Sequence, residues 1–72
     1  MRCLNDLKIG EIGVVKCINN IGAQRRLFEL GFIKGQKVKL VLKNFGDSMR
    51  AYQVKGTVIA IRKSLSKDII IF

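Results

Sequence analysis

A chain of 72 residues has room for one small domain, and this one is strongly basic, with fourteen Lys and Arg, five Asp and Glu, and a formal net charge of +9. A domain of this size buries only roughly 60–65% of the surface that its unfolded chain exposes, so we expect one modest core over residues 1–72 and no deep substrate cleft. Hydrophobic residues make up 49% of the chain, which argues against disorder. The charge predicts attraction to phosphates, anionic lipid or an acidic protein face, and it does not choose among them.

Five apolar runs, separated by glycines and polar residues, predict short β-strands. They are Ile12 to Ile18, Lys37 to Lys43, Met49 to Val54, Thr57 to Arg62 and Ile69 to Phe72. In the second run, Val38, Leu40 and Leu42 alternate with more polar positions, which predicts one buried face and one wet, basic face. The last run either closes the sheet against the N-terminal part or stays an edge that pairs with another chain, which leaves homo-oligomerisation open.

The third run alternates as well, with Arg50, Tyr52 and Val54 predicted on one face of the strand. The segment before it, Asn44 to Ser48, contains Gly and Asp and is predicted as a loop. The segment from Lys63 to Lys67 is predicted as a polar connection.

One helix is predicted, from Ala23 to Leu30. Its apolar positions are four and three residues apart, so Leu27 and Leu30 lie on the face that packs on the sheet. Asn19 or Asn20 is a candidate cap for its start. Gly31 follows directly, where a helix ends with a left-handed residue, and Gly35 supplies a tight turn before the next strand.

The residue types needed for catalysis are scarce. The sequence has no His, and its five carboxylates lie far apart without the spacing of a metal loop. No phosphate-binding loop is present, and Cys or Ser has no His to activate it. We therefore expect no enzyme, no cofactor and no metal site, with Cys3 near a terminus and Cys17 packed as a small hydrophobe. Both cysteines are predicted to be reduced thiols.

The membrane signals are also weak. No stretch approaches the ~20 apolar residues of a spanning helix, and the first six residues have no apolar run of the kind found in a signal peptide. The sequence thus predicts a protein that does not cross a membrane by itself.

Several motifs resemble those of the FeoA family, ferrous iron transport protein A. The segment Arg25 to Val38 reads RRLFELGFIKGQKV, and it resembles the family's central signature of a basic pair, Leu, an acidic residue, Leu-Gly, a later Gly and Val. Leu7 to Gly13 resembles the family's opening pattern of leucines and glycines. Val58 to Lys63 resembles its later strand of a hydrophobic residue, Ala, a hydrophobic residue and Arg. The resemblance spans the chain from about Leu4 to Phe72.

The resemblance implies an all-β fold, a small SH3-like β-barrel of about five to six short strands with one short α-helix. It also implies a cytosolic, accessory and regulatory role in bacterial ferrous iron uptake. The implied partner is FeoB, a membrane permease with a cytoplasmic GTP-binding domain, which places the protein in the cytoplasm or at the inner face of the membrane.

We expect the partner to contact the helix and the turn after it. The candidate contact residues are Arg25, Arg26, Phe28, Phe32 and Lys34. Arg25 reaches Glu29 at i+4, a surface pair worth only about 0.5 kcal/mol, whereas Arg26 points about 100° away and is available to an acidic group on a partner. The two phenylalanines provide an apolar anchor where exposed, and at least one is expected to be buried.

Two other partners remain open at this stage. The basic charge and the barrel also suit a nucleic-acid-binding protein, but Tyr52 and the four Phe do not form the aromatic pattern that stacks on bases. Lys37, Lys39 and Lys43 predict a peripheral contact with an anionic membrane surface.

Overall fold

The computed structural model describes residues 2–44 and 46–72, and these contain six strands, two helices and one 3-10 turn. In chain order the elements are β1 (Arg2–Cys3), the 3-10 turn (Leu4–Asp6), β2 (Ile12–Ile18), α1 (Ile21–Leu30), β3 (Lys37–Lys43), β4 (Met49–Val54), β5 (Thr57–Arg62), α2 (Lys63–Ser66) and β6 (Ile69–Ile71). Phe45, in the predicted loop from Asn44 to Ser48, lies outside the described residues.

The strands form one antiparallel sheet in the order β1-β6-β2-β3-β4-β5. β6 lies between β1 and β2, with Ile70 opposite both Cys3 and Cys17. The predicted pairing of the last apolar run with the N-terminal part is therefore confirmed, and the alternative that this run is a free edge is wrong. The all-β class and the six-stranded SH3-like architecture with one short helix, α1, are confirmed; the four-residue α2 is an addition.

A single hydrophobic core fills the inside of the curled sheet. It contains Leu4, Leu7, Val15, Ile18, Leu27, Phe32, Val38, Leu40, Tyr52, Val54, Ile61, Ile69 and Ile71. In β3, β4, β5 and β6, alternate residues point into it, as a period of two requires. The prediction that Arg50, Tyr52 and Val54 share one face of β4 is confirmed, and the structure shows that this face is the inner one, because all three are buried.

Two irregularities in strand pairing overturn expectations drawn from simple alternation. In β3 the register shifts between Leu40 and Leu42. The extra residue reverses the alternation of inward and outward side chains that follows it. Leu42, predicted to be buried, is therefore 61% exposed. In β2 a similar shift lies between Val15 and Cys17. Cys17 is exposed as a result, and its predicted role as a packed hydrophobe is wrong.

The helical segments differ from prediction at their boundaries. α1 begins at Ile21, two residues before Ala23, because Asn20 caps it: the Asn20 Oδ1 accepts a hydrogen bond from the Ala23 amide at 3.1 Å. At the other end, Gly31 has a φ of 108°, a conformation that glycine adopts without strain. α2 forms inside the segment predicted as a polar connection, where the amide of Lys67 donates to the carbonyl of Lys63.

The N-terminal 3-10 turn is fixed by two polar side chains of β4. The guanidinium of Arg50, which is 4% exposed, donates from Nη1 to the Asn5 carbonyl at 2.8 Å and from Nε and Nη2 to the two carboxylate oxygens of Asp47 at 3.1 Å each. The Tyr52 hydroxyl donates to the Leu4 carbonyl at 3.4 Å. We call this group of Asp47, Arg50, Tyr52 and the 3-10 turn the anchored end.

Charges at the anchored end are matched within the chain. Hydrogen bonds from Arg50, and then from Lys63, lower the pKa of Asp47 to about 2. The same Asp47 contact raises the pKa of Arg50. Burial raises the pKa of Tyr52, so all of these groups keep their usual charge at neutral pH.

Within the two described ranges, no helix is long and apolar enough to cross a membrane.

Candidate partner-docking site

The face around α1 is a part of the surface where exposed apolar and basic side chains meet. Its position is set at both ends of the helix. At the start, the Asn20 Nδ2 donates to Asp68 Oδ2 at 3.0 Å, which ties the cap to the segment before β6. At the end, the Gly31 amide donates to the carbonyls of Leu27 and Phe28. Leu27 is buried in the core and holds the helix against the sheet.

A groove of about 440 Å³ runs between α1 and the edge strand β5. Its residues are Gly22, Ala23, Arg26, Leu27, Leu30, Met49, Ala60, Ile61, Arg62 and Leu65. Most of this lining is aliphatic, and Leu30, predicted to anchor the helix in the core, instead forms part of the groove wall and is 39% exposed. The groove is therefore an apolar cleft large enough for one or two side chains of a partner.

Two arginines border the groove and distinguish it from a plain apolar cleft. Arg26 comes from α1 and Arg62 from the end of β5. Among the residues that the structure describes, neither makes a salt bridge, whereas Arg25, the neighbour of Arg26, pairs with Glu29 at 3.6 Å. Both unpaired guanidinium groups can therefore donate hydrogen bonds to a carboxylate from outside the chain.

The residues predicted as partner contacts divide between two flanks of α1. Arg26 lines the groove beside β5, while Phe28 and Lys34 line a second hollow of about 330 Å³ on the β2 side. Phe28 is 45% exposed there, next to Ile33 and Cys17. Arg26, Phe28 and Lys34 thus lie on two neighbouring surfaces rather than one, whereas Arg25 lines neither of them and pairs with Glu29.

Phe32 does not belong to either surface. Its side chain is 0% exposed because the turn at Gly31 directs it into the core, with the Phe32 amide bonded to the Leu27 carbonyl at 3.0 Å. Phe32 as a candidate contact residue is therefore wrong, whereas the prediction that at least one of the two phenylalanines is buried is confirmed, and Phe28 is the exposed one. Gly35 has a φ of 89° and open space around it, so its role is conformational.

Sequence reasoning missed the groove residues outside α1. Met49, Ala60, Arg62 and Leu65 come from β4, β5 and α2, and no local pattern shows that these elements lie beside the helix. The one available signal is Arg62 at the end of the strand motif shared with the family pattern, an arginine that follows four consecutive apolar residues and has no acidic neighbour in sequence.

Metal-ligand chemistry is sparse across residues 2–44 and 46–72. No group of three His, Cys, Asp or Glu side chains comes close enough to hold an ion, and Cys3 and Cys17 are free thiols. The groove itself offers guanidinium groups and aliphatic side chains, which suit a protein ligand rather than a cation.

Comparison with known proteins identifies the family. The FeoA domain profile matches residues 2–71. The chain belongs to the FeoA family. Members of this family are SH3-like accessory proteins of iron transport and are not enzymes. No curated protein matches the chain in sequence.

Solved FeoA structures share its fold. The zinc complex of FeoA from Stenotrophomonas maltophilia, a prokaryotic SH3 domain protein proposed as a bacterial ferrous iron transport activating factor, is 31% identical, with a TM-score of 0.89 over 100% of this chain and 91% of that one. FeoA from Chlorobium tepidum is 22% identical, with a TM-score of 0.90 over 97% of this chain and 68% of that one. A FeoA-like protein from Clostridium acetobutylicum is 24% identical, with a TM-score of 0.87 over 97% of this chain and 83% of that one.

Proposed function

We propose that this FeoA-family protein is a cytosolic accessory and regulatory protein of bacterial ferrous iron uptake, and that its α1 groove binds the cytoplasmic GTP-binding part of a FeoB-like permease. A role in ferrous iron transport follows from the family. The observation that supports docking is the aliphatic groove bordered by two arginines, Arg26 and Arg62, that have no carboxylate partner among the described residues.

The chemistry of the groove defines the partner segment. An aliphatic side chain of the partner fills the space beside Leu30 and Leu65, and burial of apolar area provides most of the binding energy. A carboxylate next to it on the partner bonds the guanidinium of Arg26 or Arg62. Arginine suits this role because its planar fork binds a carboxylate through two hydrogen bonds.

The second flank of α1 extends the contact. Phe28 and Ile33 are partly exposed, and Lys34 lies beside them. Aromatic residues and arginines are enriched among the residues that dominate binding energy, so we include both Phe28 and Arg26 in the proposed interface. A permease partner also brings the protein to the inner face of the membrane.

A binding measurement with the isolated GTP-binding domain of the permease encoded by the same organism tests the proposal. Arg26→Glu reverses the charge at the groove, and we expect it to weaken binding by at least about tenfold. Arg25→Glu is the matched control, because it makes the same change one residue away, at a side chain paired with Glu29. We expect its effect to stay within about threefold.

Equal binding by wild type and Arg26→Glu would exclude the groove as the contact surface. Sedimentation of the chain alone at the same concentrations tests homo-oligomerisation, since a second copy can also fill an apolar groove. Self-association that Arg26→Glu abolishes, without binding to the GTP-binding domain, would assign the groove to a second copy and contradict the proposal.

A further inference from the structure

A second surface, on the outward face of the sheet, combines lysines with exposed aliphatic side chains. Across four adjacent strands, Ile12 lies opposite Lys39, Lys39 opposite Gln53, and Gln53 opposite Val58. Residues directly opposite each other share one face of a sheet. Because Ile12 and Val58 at the two ends of this row are 57% and 59% exposed, the row faces solvent.

The lysines of this surface gather around a shallow hollow of about 270 Å³. Its lining includes Ile12, Lys37, Lys39, Lys55 and the turn glycine Gly56. We call Ile12, Lys37, Lys39, Gln53, Lys55 and Val58 the basic face. In the part of the chain that the structure describes, no salt bridge involves any of its three lysines.

The carboxylates of the chain are engaged elsewhere. Glu11 bonds Arg2, Glu29 pairs with Arg25, Asp47 bonds Arg50 and Lys63, Asp68 bonds Asn20, and Asp6 accepts from the Cys3 amide. None of the five lines the hollow. The positive charge of the basic face is therefore uncompensated by the chain itself, which is the condition for attracting an anionic partner.

The register shift in β3 changes which side chains belong to the outward face of the sheet. Lys43, grouped with Lys37 and Lys39 from sequence, lies opposite Arg50, whose side chain is buried. Lys43 therefore does not share the outward face, and its predicted membership in a single lysine row is wrong. Leu42 takes the outward position instead, opposite Ala51, and adds an exposed aliphatic side chain next to the basic face.

We propose that the basic face is a peripheral membrane-docking surface for anionic phospholipid. The lysine ammonium groups contact lipid phosphates, each strengthening binding by about fivefold near an anionic leaflet. Ile12, Val58 and Leu42 enter the boundary between headgroups and acyl chains, as the apolar side chains of interfacial proteins do. The lysine stems cover the apolar surface between them while their charges stay at the headgroups.

The side-chain chemistry favours lipid over nucleic acid. Single-stranded nucleic acid is held by aromatic platforms on which bases stack, and the basic face contains no aromatic residue. Tyr52, on the same strand as Gln53, is 0% exposed and points into the core. Exposed aliphatic residues among lysines contribute little to phosphate-backbone binding but contribute directly to insertion between lipid headgroups.

Binding to lipid vesicles tests the proposal with the full chain. The vesicles are phosphatidylcholine alone, or phosphatidylcholine with about one third phosphatidylglycerol, in about 0.15 M salt. We expect binding to the anionic vesicles only. The variant Lys37→Gln/Lys39→Gln is expected to reduce the partition coefficient by roughly 30-fold, and Ile12→Ser by about tenfold through lost insertion.

The control Arg25→Gln/Lys67→Gln removes the same charge from exposed positions outside the basic face, and we expect a change of at most about threefold. Equal losses in the two double variants would show that net charge alone drives binding and would overturn the proposal. If Ile12→Ser leaves vesicle binding unchanged, the proposed insertion of apolar side chains into the membrane is wrong. Circular dichroism of each variant checks that the fold is retained.

Two further measurements separate lipid from other phosphate sources. Titration with inorganic phosphate, and filter binding with single-stranded RNA, use the same variants at the same salt concentration. Saturable binding of either probe that Lys37→Gln/Lys39→Gln abolishes, without binding to anionic vesicles, would overturn the proposal. The inference is also separable from the α1 groove, because Arg26→Glu is expected to keep vesicle binding while Lys37→Gln/Lys39→Gln keeps binding to the soluble GTP-binding domain.

Discussion

The anchored end and the α1 groove each contain an arginine, and the two guanidinium groups are in opposite situations. Arg50 is buried and bonded to Asp47 and to the carbonyl of Asn5. Arg26 is exposed at the side of the groove and has no salt bridge among the described residues. The first holds the N-terminal turn to the sheet, and the second is available to a partner.

The difference lies in the surroundings rather than in the residue type. Asp47 lies three residues before Arg50, on the turn that precedes β4, and supplies the counter-charge that a buried guanidinium requires. α1 has one acidic residue, Glu29, and it pairs with Arg25. A charged residue is therefore structural where the fold satisfies every donor, and it becomes a candidate for recognition where the fold leaves donors free.

The strongest test of this comparison is removal of each guanidinium. We expect Arg50→Met to lower the free energy of unfolding by about 3 kcal/mol, because the carbonyls of the 3-10 turn lose their donor while Asp47, partly exposed, recovers some hydration. Urea denaturation followed by circular dichroism measures the change.

Arg26→Met is the matched control in the other region. It removes the same group from a surface position, so we expect a change within about 0.5 kcal/mol. Comparable losses in the two variants would contradict the division between a structural and an available arginine.

The link between α1 and the core is tested at Gly31. A methyl group at this position would lie 3.0 Å from Val54 Cγ1, at a φ of 108°, so Gly31→Ala is expected to destabilise the fold by about 2 kcal/mol. Gly35 has a φ of 89° but open space, and Gly35→Ala is expected to cost about 1 kcal/mol. Thermal unfolding of both variants shows which one loses more stability. A larger loss of stability in Gly35→Ala would show that the contact with Val54 does not matter.

The smallest expected change is a pH dependence of stability that appears only in acid. The pKa of Asp47 falls from 3.8 to about 2 in the folded protein, so its bonds to Arg50 and Lys63 stabilise the fold fully above the unfolded value. This contribution is lost as the pH drops from about 4 to about 2. The stability difference between wild type and Asp47→Asn should therefore be constant near neutral pH and shrink through that window. A difference that is independent of pH would show that the Asp47 charge is not the stabilising feature.

Most of the fold follows from patterns that are local in the sequence. Alternation in β4 correctly places Tyr52 and Val54 on one face of the strand, and the glycine after Leu30 correctly ends α1. These predictions succeed because a strand with a period of two and a helix stop each depend on a few neighbouring residues.

The errors have one physical origin in the strands. A single extra residue in a bulge reverses the inward and outward positions that follow it. This exposes Leu42 and Cys17 and removes Lys43 from the lysine row. Nothing in the local composition marks these bulges, because their position depends on pairing with strands distant in sequence.

The candidate site was predictable only in part, because local sequence marks some of its residues and not others. Arg26 stands out in sequence because its neighbour Arg25 already has a partner at Glu29. Arg62 and Leu65 do not stand out, since only the tertiary fold brings them to the groove. Phe32 was misassigned because the chain reverses direction at Gly31 and carries the next side chain inward.

The position of β6 also determines the order in which the molecule can assemble during synthesis. β1 and β2 share β6 as their common neighbour, through Ile70 opposite Cys3 and Cys17. A ribosome must therefore release residues 69–71 before β1 acquires a hydrogen-bonding neighbour and before β2, which also pairs with β3, acquires its second one. The hairpins β3–β4 and β4–β5, in contrast, need only residues close to them in the chain. On the nascent chain we expect the middle hairpins to form first, with the N-terminal segment joining the sheet last.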